Sequence, residues 1–410
     1  MALGIEALNC YVGRACVGVE DVFRERGLDV ARLGNLMMTR KSVNLPCEDA
    51  VTNAVNAARP LLDAMDERDR ADIELLVVGT ESGVDLSKPI STYVHHHLGL
   101  GPRCRSFEVK HACYGGTAAL HAAAGIIANS PVPSAKALVI AADAAGPASR
   151  GTYWEPSEGA GAVAMVVGRD CEVLELDVGA SGLHTFEVMD TLRPSADVTV
   201  VDSDLSLLSY LACLEHSFAA YRERVVGADV VDTFDHLVFH TPFAGMVKGA
   251  HRTLLRKQGA LAKVDAEADF GRRVAPSVEY ATLVGNLFSA SLYLALASLL
   301  DHVPIRAPAR IGLFSYGSGC ASEFFSGVLG PGAARAVGRF GIGDRIASRR
   351  VLDMAEYDRV VALGGDRGHG VADHVVDTTP YTELYGELFE GAGLLVLDRI
   401  DRYHRAYRWS

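Results

Sequence analysis

Cys113 has the surroundings of a nucleophile. It lies in the run Lys110-His-Ala-Cys-Tyr-Gly-Gly-Thr, where a predicted strand ends, a Gly-containing turn follows and an Ala-rich helix begins. A thiol at a helix N-terminus is favoured as thiolate, because the helix dipole and free backbone N–H groups stabilise negative charge. The same N–H groups can bind the carbonyl oxygen of an acylated sulfur. We therefore expect Cys113 to carry an acyl group, with a buried structural cysteine as the alternative.

Glu81 and His240 each lie where a predicted apolar strand ends and polar residues begin. Glu81 lies in Gly79-Thr-Glu-Ser-Gly, and a carboxyl group that loses hydration there has a raised pKa and is a better base near neutrality. His240 ends the run Leu237-Val-Phe-His, where it could donate to a substrate carbonyl or transfer protons. The alternatives are a solvated loop acid for Glu81 and a satisfied core histidine for His240.

Three further positions could bind a substrate or its phosphate. Asn286, in Val284-Gly-Asn-Leu, opens a predicted apolar helix, so helix capping is the alternative to a substrate contact. The turn Tyr316-Gly-Ser-Gly exposes backbone N–H groups, including that of Ser318, but lacks the glycine pattern of a dinucleotide site. Lys248 could meet a ligand phosphate, with a solvated helix lysine as the alternative.

Composition narrows the class of protein. Of 410 residues 49% are hydrophobic and 22% charged, which is ordinary for a globular enzyme, and the net charge of −12 disfavours nucleic acid as a partner. Eight cysteines without a CxxC pair indicate free thiols in a reducing cytoplasm. We see neither a signal peptide nor an apolar run of the roughly 20 residues that span a bilayer. Adjacent histidines at 95–97 point in different directions on a helix, so we expect no metal site.

Short β-rich runs alternate with longer helical runs, which is typical of α/β architecture. The clearest predicted strands cover residues 73–78, 106–110, 137–142, 162–167, 236–239 and 310–315. The predicted helices cover residues 48–65, 115–129, 205–225, 246–257, 286–301 and 381–405. Similar elements recur in the same order, which suggests two duplicated halves, residues 1–170 and 171–410. Both halves place polar residues at strand ends, where open α/β sheets have their sites.

With these residues in hand, the chain resembles the 3-hydroxy-3-methylglutaryl-CoA synthase family of the thiolase superfamily from about residue 3 to the C-terminus. The resemblance is carried by six motifs in order: Thr80-Glu-Ser-Gly-Val-Asp, Lys110-His-Ala-Cys-Tyr-Gly-Gly-Thr, Glu155-Pro-Ser-Glu-Gly-Ala-Gly-Ala-Val-Ala-Met, His240-Thr-Pro-Phe-Ala-Gly-Met-Val-Lys, Val284-Gly-Asn-Leu and Phe314-Ser-Tyr-Gly-Ser-Gly. It implies a thiolase fold, in which two duplicated βαβ halves form a layered α-β-α-β-α sandwich. Two further runs resemble those of the family members that install β-branches in polyketides: Asp190-Thr-Leu-Arg-Pro and Asp204-Leu-Ser-Leu-Leu-Ser-Tyr-Leu. Residues 143–154 depart from the family's usual Ala-Arg-Tyr-Gly run there.

The resemblance implies a reaction and its partners. Cys113 takes an acetyl or short acyl group from a donor acyl carrier protein, and Glu81 removes a proton from it. The enolate adds to a β-ketoacyl thioester on a polyketide-synthase carrier protein, and water then frees a 3-hydroxy-3-carboxymethyl product. His240 and Asn286 would hold acceptor oxygens.

The remaining implied roles concern the thioester and its carrier. The N–H groups of Cys113 and Ser318 would hold the thioester oxygen, and Tyr316 would belong to the same substrate and oxyanion site. Lys248 would meet the phosphate of phosphopantetheine or CoA. A homodimer without a permanently bound cofactor is expected.

Three other functions are compatible with parts of the pattern. The first is a mevalonate-pathway hydroxymethylglutaryl-CoA synthase that uses acetyl-CoA and acetoacetyl-CoA. The second is a Claisen-type ketoacyl synthase, which normally lacks a counterpart of Glu81. The third is a catalytically dead scaffold that binds carriers, and an intact Cys113, Glu81 and His240 argue against it.

Overall fold

The structure is a computed structural model that describes residues 2–195, 198–365 and 368–410. Its strands are β1 Gly4–Tyr11, β2 Ala15–Gly18, β3 Arg40–Val43, β4 Ile73–Gly79, β5 Arg105–Val109, β6 Lys136–Asp143, β7 Gly161–Gly168, β8 Leu174–Thr185, β9 Thr191–Ser195, β10 Val198–Val201, β11 His236–Phe239, β12 Ala309–Gly317, β13 Ala321–Leu329, β14 Arg350–Leu352, β15 His374–Val375, β16 Leu395–Asp401 and β17 His404–Trp409. Its α-helices are α1 Val19–Glu25, α2 Leu33–Leu36, α3 Ala50–Asp63, α4 Glu67–Ala71, α5 Ser91–His97, α6 Gly115–Ala128, α7 Ser203–Arg224, α8 Ala244–Lys257, α9 Ala266–Arg273, α10 Ala275–Val284, α11 Ser291–His302, α12 Ala333–Gly338, α13 Ile342–Ala347, α14 Met354–Leu363 and α15 Thr382–Leu388.

A mixed sheet runs through the molecule in the order β11-β12-β13-β8-β1-β7-β6-β4-β5. Its two parts meet where β1 pairs with β8 through Gly4 and Glu175 and through Ile5 and Leu174. On one side of this junction β4 is parallel to both β5 and β6, and on the other side β11 is parallel to β12. Each part therefore has parallel strands whose carboxyl ends can hold a site.

Helices cover both faces of the sheet, and α6 and α11 pack in a core that lies between its two parts. On β6, Val139 lies in a central core with residues of α6 and α11, whereas Ile140 lies in a second core with α3. On β12, Leu313 faces the same central core and Phe314 faces a third core with α7 and α8. Successive side chains of a strand point to opposite faces, so these cores are separate layers. The predicted α-β-α-β-α arrangement is confirmed.

The predicted C-terminal helix over residues 381–405 is wrong. Helix α15 ends at Leu388, and strands β16 and β17 follow as an antiparallel hairpin. Gly391 and Gly393 have φ of 69° and 65°, a conformation that ends a helix. The predicted start of a helix at Asn286 is also too early, because α11 begins at Ser291.

The described ranges contain neither a membrane-spanning helix nor a metal-binding cluster. No helix there combines the length and apolarity that a bilayer crossing requires. Nor do these residues contain a group of three or more His, Cys, Asp or Glu arranged to hold a metal ion. In α5, His95 Nε2 lies 3.0 Å from the carbonyl oxygen of Gly101, whereas His97 packs edge-on against Tyr407.

Candidate active site

The carboxyl ends of parallel strands supply the polar residues of the site. Glu81 follows β4 by two residues, and Asp143 is the last residue of the neighbouring β6. In the other part of the sheet, His240 follows β11 directly and Ser318 follows β12 directly. Because parallel strands end at the same edge of a sheet, each pair of residues lies at one edge.

Glycines let the turn that carries Cys113 pack directly on these strand ends. A Cβ atom on Gly79 would lie 2.5 Å from the carbonyl oxygen of Gly115, and one on Gly116 would overlap the carbonyl oxygen of Ser289. A Cβ on Gly317 would lie 2.5 Å from the backbone nitrogen of Tyr114. Close backbone approach of this kind requires glycine. The turn after β12 therefore touches the turn that carries Cys113.

Cys113 and Glu81 form the centre of the site. The Cys113 thiol donates to Glu81 Oε2 over 3.8 Å, and the residue before it, Ala112, has a φ of 39° that directs the turn into α6. Burial, with added repulsion from Asp143, raises the pKa of Glu81 to about 7. The raised pKa is the one expected of a carboxyl group in this position, and the role of Glu81 as a base stays a prediction.

The expected thiolate at Cys113 is wrong for the unacylated protein. Burial, followed by the charges of Glu81 and Asp143, raises the pKa of the Cys113 thiol well above its usual value. These effects outweigh the first turn of α6, where Cys113 lies before the N-cap residue Tyr114. A thiol in this state requires a neighbouring base to act as a nucleophile, and Glu81 Oε2 is the carboxylate oxygen within 3.8 Å of it.

Asp143 joins the Glu81 turn to the loop around Asn286. Its Oδ1 accepts from the Glu81 backbone N–H at 2.8 Å and from the hydroxyls of Thr80 at 3.0 Å and Ser82 at 2.9 Å. Its Oδ2 accepts from the backbone N–H of Ser289 at 3.0 Å and from its hydroxyl at 2.5 Å. Burial raises the pKa of Asp143, and these hydrogen bonds oppose the rise. We conclude that Asp143 fixes two loops from different halves of the chain.

Asn286 is oriented by its own loop. Its side-chain oxygen accepts from the Phe288 backbone N–H at 2.9 Å and from the Ser291 hydroxyl at 2.7 Å. Its backbone N–H donates to Ser157 at 2.8 Å. With the side-chain oxygen occupied, the amide NH₂ is the group that can donate to a substrate oxygen.

His240 is buried and neutral. Its backbone N–H donates to the carbonyl oxygen of Phe314 at 2.7 Å, and its ring centroid lies 6.4 Å from that of Tyr210 and 6.5 Å from that of Tyr316. Burial lowers the pKa of His240 to about 3. Of the two roles predicted for it, hydrogen bonding to a carbonyl fits this environment better than proton transfer from an imidazolium.

Tyr316 has a structural partner instead of a substrate-facing hydroxyl. Its hydroxyl donates to Asp190 Oδ2 at 2.8 Å, and the backbone N–H of Gly319 donates to Oδ1 of the same carboxylate at 3.0 Å. Tyr316 therefore holds the turn in place, and its predicted contribution to the substrate and oxyanion site stays a prediction. Ser318 stands between these anchored residues, partly exposed.

Lys248 makes its contacts with a neighbouring helix. It is on α8, where its ammonium group is 2.7 Å from Glu267 Oε2 and 5.8 Å from the centre of the Phe270 ring. Its contacts within the described residues are on α9, so a phosphate would have to compete with Glu267.

Sequence reasoning missed Asp143 and Arg193. Asp143 ends a buried strand as an acid, the same signal that singled out Glu81. Arg193 lies on β9, and its Nη2 is 3.5 Å from Glu81 Oε1. Its motif had been noted only as a mark of the polyketide branch.

Family models cover nearly the whole chain. Residues 1–172 match the hydroxymethylglutaryl-coenzyme A synthase N-terminal domain, and residues 174–263 and 251–409 match the C-terminal domain of the same enzyme. The fold and the paired cysteine and glutamate define a condensing enzyme of the thiolase type. The chain belongs to the hydroxymethylglutaryl-CoA synthase family, which confirms the predicted resemblance.

Individual relatives agree with this assignment. Over its full length the chain is 46% identical to the polyketide biosynthesis 3-hydroxy-3-methylglutaryl-ACP synthase PksG of Bacillus subtilis (strain 168), and the alignment covers 99% of that protein. It is 35% identical to the hydroxymethylglutaryl-CoA synthase of Enterococcus faecalis, over 88% of this chain and 92% of that one. The crystal structure of the curacin biosynthetic pathway HMG synthase in complex with acetyl donor-ACP matches with a TM-score of 0.96 and 43% identity, and both chains are covered fully.

Proposed function

We propose that this enzyme forms β-branches in polyketides by adding a Cys-bound acetyl or short acyl group to a β-ketoacyl thioester on a carrier protein. The observation that carries the proposal is the 3.8 Å contact between the Cys113 sulfur and a Glu81 carboxyl whose pKa is raised to about 7. The full-length similarity to PksG, and to a synthase solved with acetyl donor-ACP, supports carrier proteins as the donor and acceptor.

Acylation comes first. Ionised Glu81 takes the Cys113 thiol proton while the sulfur attacks the acetyl carbonyl of the donor's phosphopantetheine thioester. The donor thiolate leaves and takes up that proton, so Glu81 is again ionised. The backbone N–H groups of Cys113 and Ser318 bind the carbonyl oxygen as negative charge develops on it.

Condensation uses the same carboxylate. Glu81 removes a proton from the acetyl methyl group, and the resulting enolate carbon attacks the acceptor's β-ketone. The new alkoxide takes the proton back from Glu81, so charge and protons balance. The Asn286 amide and the neutral His240 ring hold the acceptor's two carbonyl oxygens by donating hydrogen bonds.

Hydrolysis ends the cycle. Water attacks the Cys113 thioester, which frees the sulfur and leaves a 3-hydroxy-3-carboxymethyl group on the acceptor carrier. The phosphate of either carrier's phosphopantetheine would meet Lys248 once that residue is released from Glu267, to which its ammonium group lies at 2.7 Å.

The chain organisation proposed here has two halves, residues 1–170 and 171–410. The first half supplies Cys113 and Glu81, and the second supplies His240, Asn286 and the turn with Ser318. The junction between β1 and β8 and the border between the two family models near residue 173 both support this division.

Dimerisation and a cytoplasmic location complete the proposal. Strand β5 ends the sheet with its residues partly exposed, so its outer edge can pair with a second copy. All eight cysteines are free, in keeping with a reducing compartment.

Intact-protein mass spectrometry tests the function. After mixing with acetylated holo-acyl carrier protein, the wild type is expected to gain one acetyl group and Cys113→Ala none, because the nucleophile is gone. Cys104→Ala is the matched control, since Cys104 is a partly exposed cysteine whose thiol donates to the backbone oxygen of Arg105.

Two outcomes would contradict the proposal. An acetyl adduct that persists in Cys113→Ala would remove this residue as the nucleophile. Equal or faster loading from acetyl-CoA would favour the mevalonate-pathway activity instead of a carrier-dependent one.

A further inference from the structure

We propose that Arg193 is a positioning residue that pairs with the Glu81 carboxylate and holds it ionised beside the Cys113 thiol. The inference deepens the proposed function and rests on it, because it assigns Glu81 the part of the base. It concerns a residue on a hairpin, β9–β10, that lies outside the main sheet.

The Glu81 carboxylate lies between a cation and a sulfur. Arg193 Nη2 is 3.5 Å from Glu81 Oε1, while Glu81 Oε2 is 3.8 Å from the Cys113 sulfur. The side chains of Arg193 and Glu81 are 28% and 18% exposed. Since water screens this pair less than a surface ion pair, the guanidinium acts strongly on the carboxylate.

The other charges near Glu81 are negative. Asp143 and Glu158 both face it and raise its pKa, whereas Arg193 lowers its pKa and the hydrogen bond from Cys113 lowers it slightly. Asp143 is fully buried at the end of β6, and Glu158 is opposed by Lys41. Without Arg193, the carboxyl group at position 81 would therefore stay protonated to a higher pH.

The hairpin fixes where the guanidinium lies. Arg193 Nε donates to the Thr199 hydroxyl at 3.4 Å, and the guanidinium carbon lies 6.0 Å from the centre of the Phe288 ring. Three residues earlier, Asp190 accepts from the Gly319 backbone N–H at 3.0 Å. The hairpin is thereby tied to the same turn that carries Ser318, so Arg193 is held against Glu81 and not free in solvent.

The pair has a consequence for the first proton transfer. When Glu81 accepts the Cys113 proton, the Arg193 charge loses its carboxylate partner and faces the newly formed thiolate instead. Its charge also lowers the pKa of the Cys113 thiol. The Arg193 guanidinium thus stays beside the negative charge as that charge moves from the Glu81 oxygen to the Cys113 sulfur. The net charge of the three side chains does not change.

The test measures the rate of Cys113 acylation from acetylated holo-acyl carrier protein against pH. In Arg193→Gln the midpoint of the rise in rate should move up by about one pH unit, which makes the rate about tenfold lower below both midpoints, and the two rates should converge at high pH. Arg193→Lys keeps a charge without the planar fork and should shift the midpoint less. Arg402→Gln is the matched control, because the Arg402 side chain is 89% exposed and pairs with a neighbouring aspartate.

A second measurement follows alkylation of Cys113 by iodoacetamide across the same pH range. This reaction requires no carrier protein, so it tests the Arg193–Glu81 pair even if the wild type gains no acetyl group. A wild type that gains no acetyl group would contradict the proposed function, but not the role of Arg193. An unchanged midpoint in both Arg193 variants, or a rate lowered equally at every pH, would overturn the role of Arg193.

Discussion

At the scale of single residues, Cys113 and Glu81 shift each other's pKa. The hydrogen bond from the thiol lowers the pKa of Glu81, and the charge of Glu81 raises the pKa of Cys113. The pair holds one negative charge, which resides on Glu81 at rest and passes to sulfur during attack. A cysteine protonated at neutral pH is therefore compatible with nucleophilic catalysis here.

The pH dependence of acylation follows from the Glu81 carboxyl group. Because its pKa is raised to about 7, Glu81 is protonated and inactive as a base below that pH, so the rate should rise through about pH 7 and then level off. Glu81→Gln should lose this limb and acylate about 10²–10⁴-fold more slowly above pH 7. Rapid-quench mass spectrometry from pH 5 to 9 measures both. A wild-type rate that is flat across this range would exclude Glu81 as the base.

At the scale of structural elements, glycine contacts set the position of α6. The first turn of the helix touches the end of β4 through Gly79 and the loop before α11 through Gly116. Both contacts are backbone to backbone, so a methyl group at either position must displace a main chain. The orientation of the Cys113 sulfur depends on these contacts.

Gly116→Ala should destabilise the fold by about 1–3 kcal/mol and slow acylation, because its Cβ overlaps the Ser289 carbonyl oxygen and lies 2.9 Å from Ala141 Cβ. Gly125→Ala lies on the same helix with nothing within 4 Å of its Cβ and should instead stabilise by about 0.5–1 kcal/mol. Thermal unfolding and the acylation rate measure the two effects. Similar melting temperatures for the two variants would contradict the packing argument.

The sequence predicted those elements that the residue pattern of one short segment is enough to identify. An apolar run followed by an acid revealed β4 and Glu81, and the Gly-containing turn before an Ala-rich helix revealed Cys113 and α6. The predicted helix over residues 381–405 is wrong beyond Leu388, because Gly391 and Gly393 have positive φ and do not continue the helix. The two glycines lie between α15 and β16, so they end the helical segment before the hairpin begins.

Partnerships between distant segments could not be predicted in this way. Arg193 lies on a short strand next to a proline, with no apolar alternation to mark which way it points. Its pairing with Glu81 joins residues more than a hundred positions apart. The neutral state of Cys113 likewise depends on burial and on Asp143, which a single segment does not reveal.

At the scale of the whole molecule, the site joins residues from both parts of the sheet, and no described strand pairs with the outer edge of β5. Asp143 binds Ser289, and the Tyr114 hydroxyl donates to Glu323 at 2.8 Å. Strand β11 ends the sheet on one side with buried residues, whereas β5 ends it on the other side with partly exposed ones. The uncovered edge of β5 adjoins the turn that leads to Cys113.

We expect the enzyme to be a dimer through β5. Light scattering coupled to size exclusion should give twice the mass of one chain, because pairing two β5 strands satisfies their outer backbone groups. Hydrogen exchange should show the β5 amides protected at high protein concentration and faster on dilution. A monomer mass at all concentrations, or β5 amides that exchange freely, would contradict this interface.

The three glycines under the nucleophile also limit how the enzyme can change. Gly79, Gly115 and Gly116 already have no side chain, so any substitution there can only add bulk to this corner of the pocket. An enzyme selected or engineered for a larger acyl group must therefore gain its space elsewhere around Cys113. Strand β9, whose Arg193 lies 3.5 Å from Glu81, is one segment where side chains remain to be shortened.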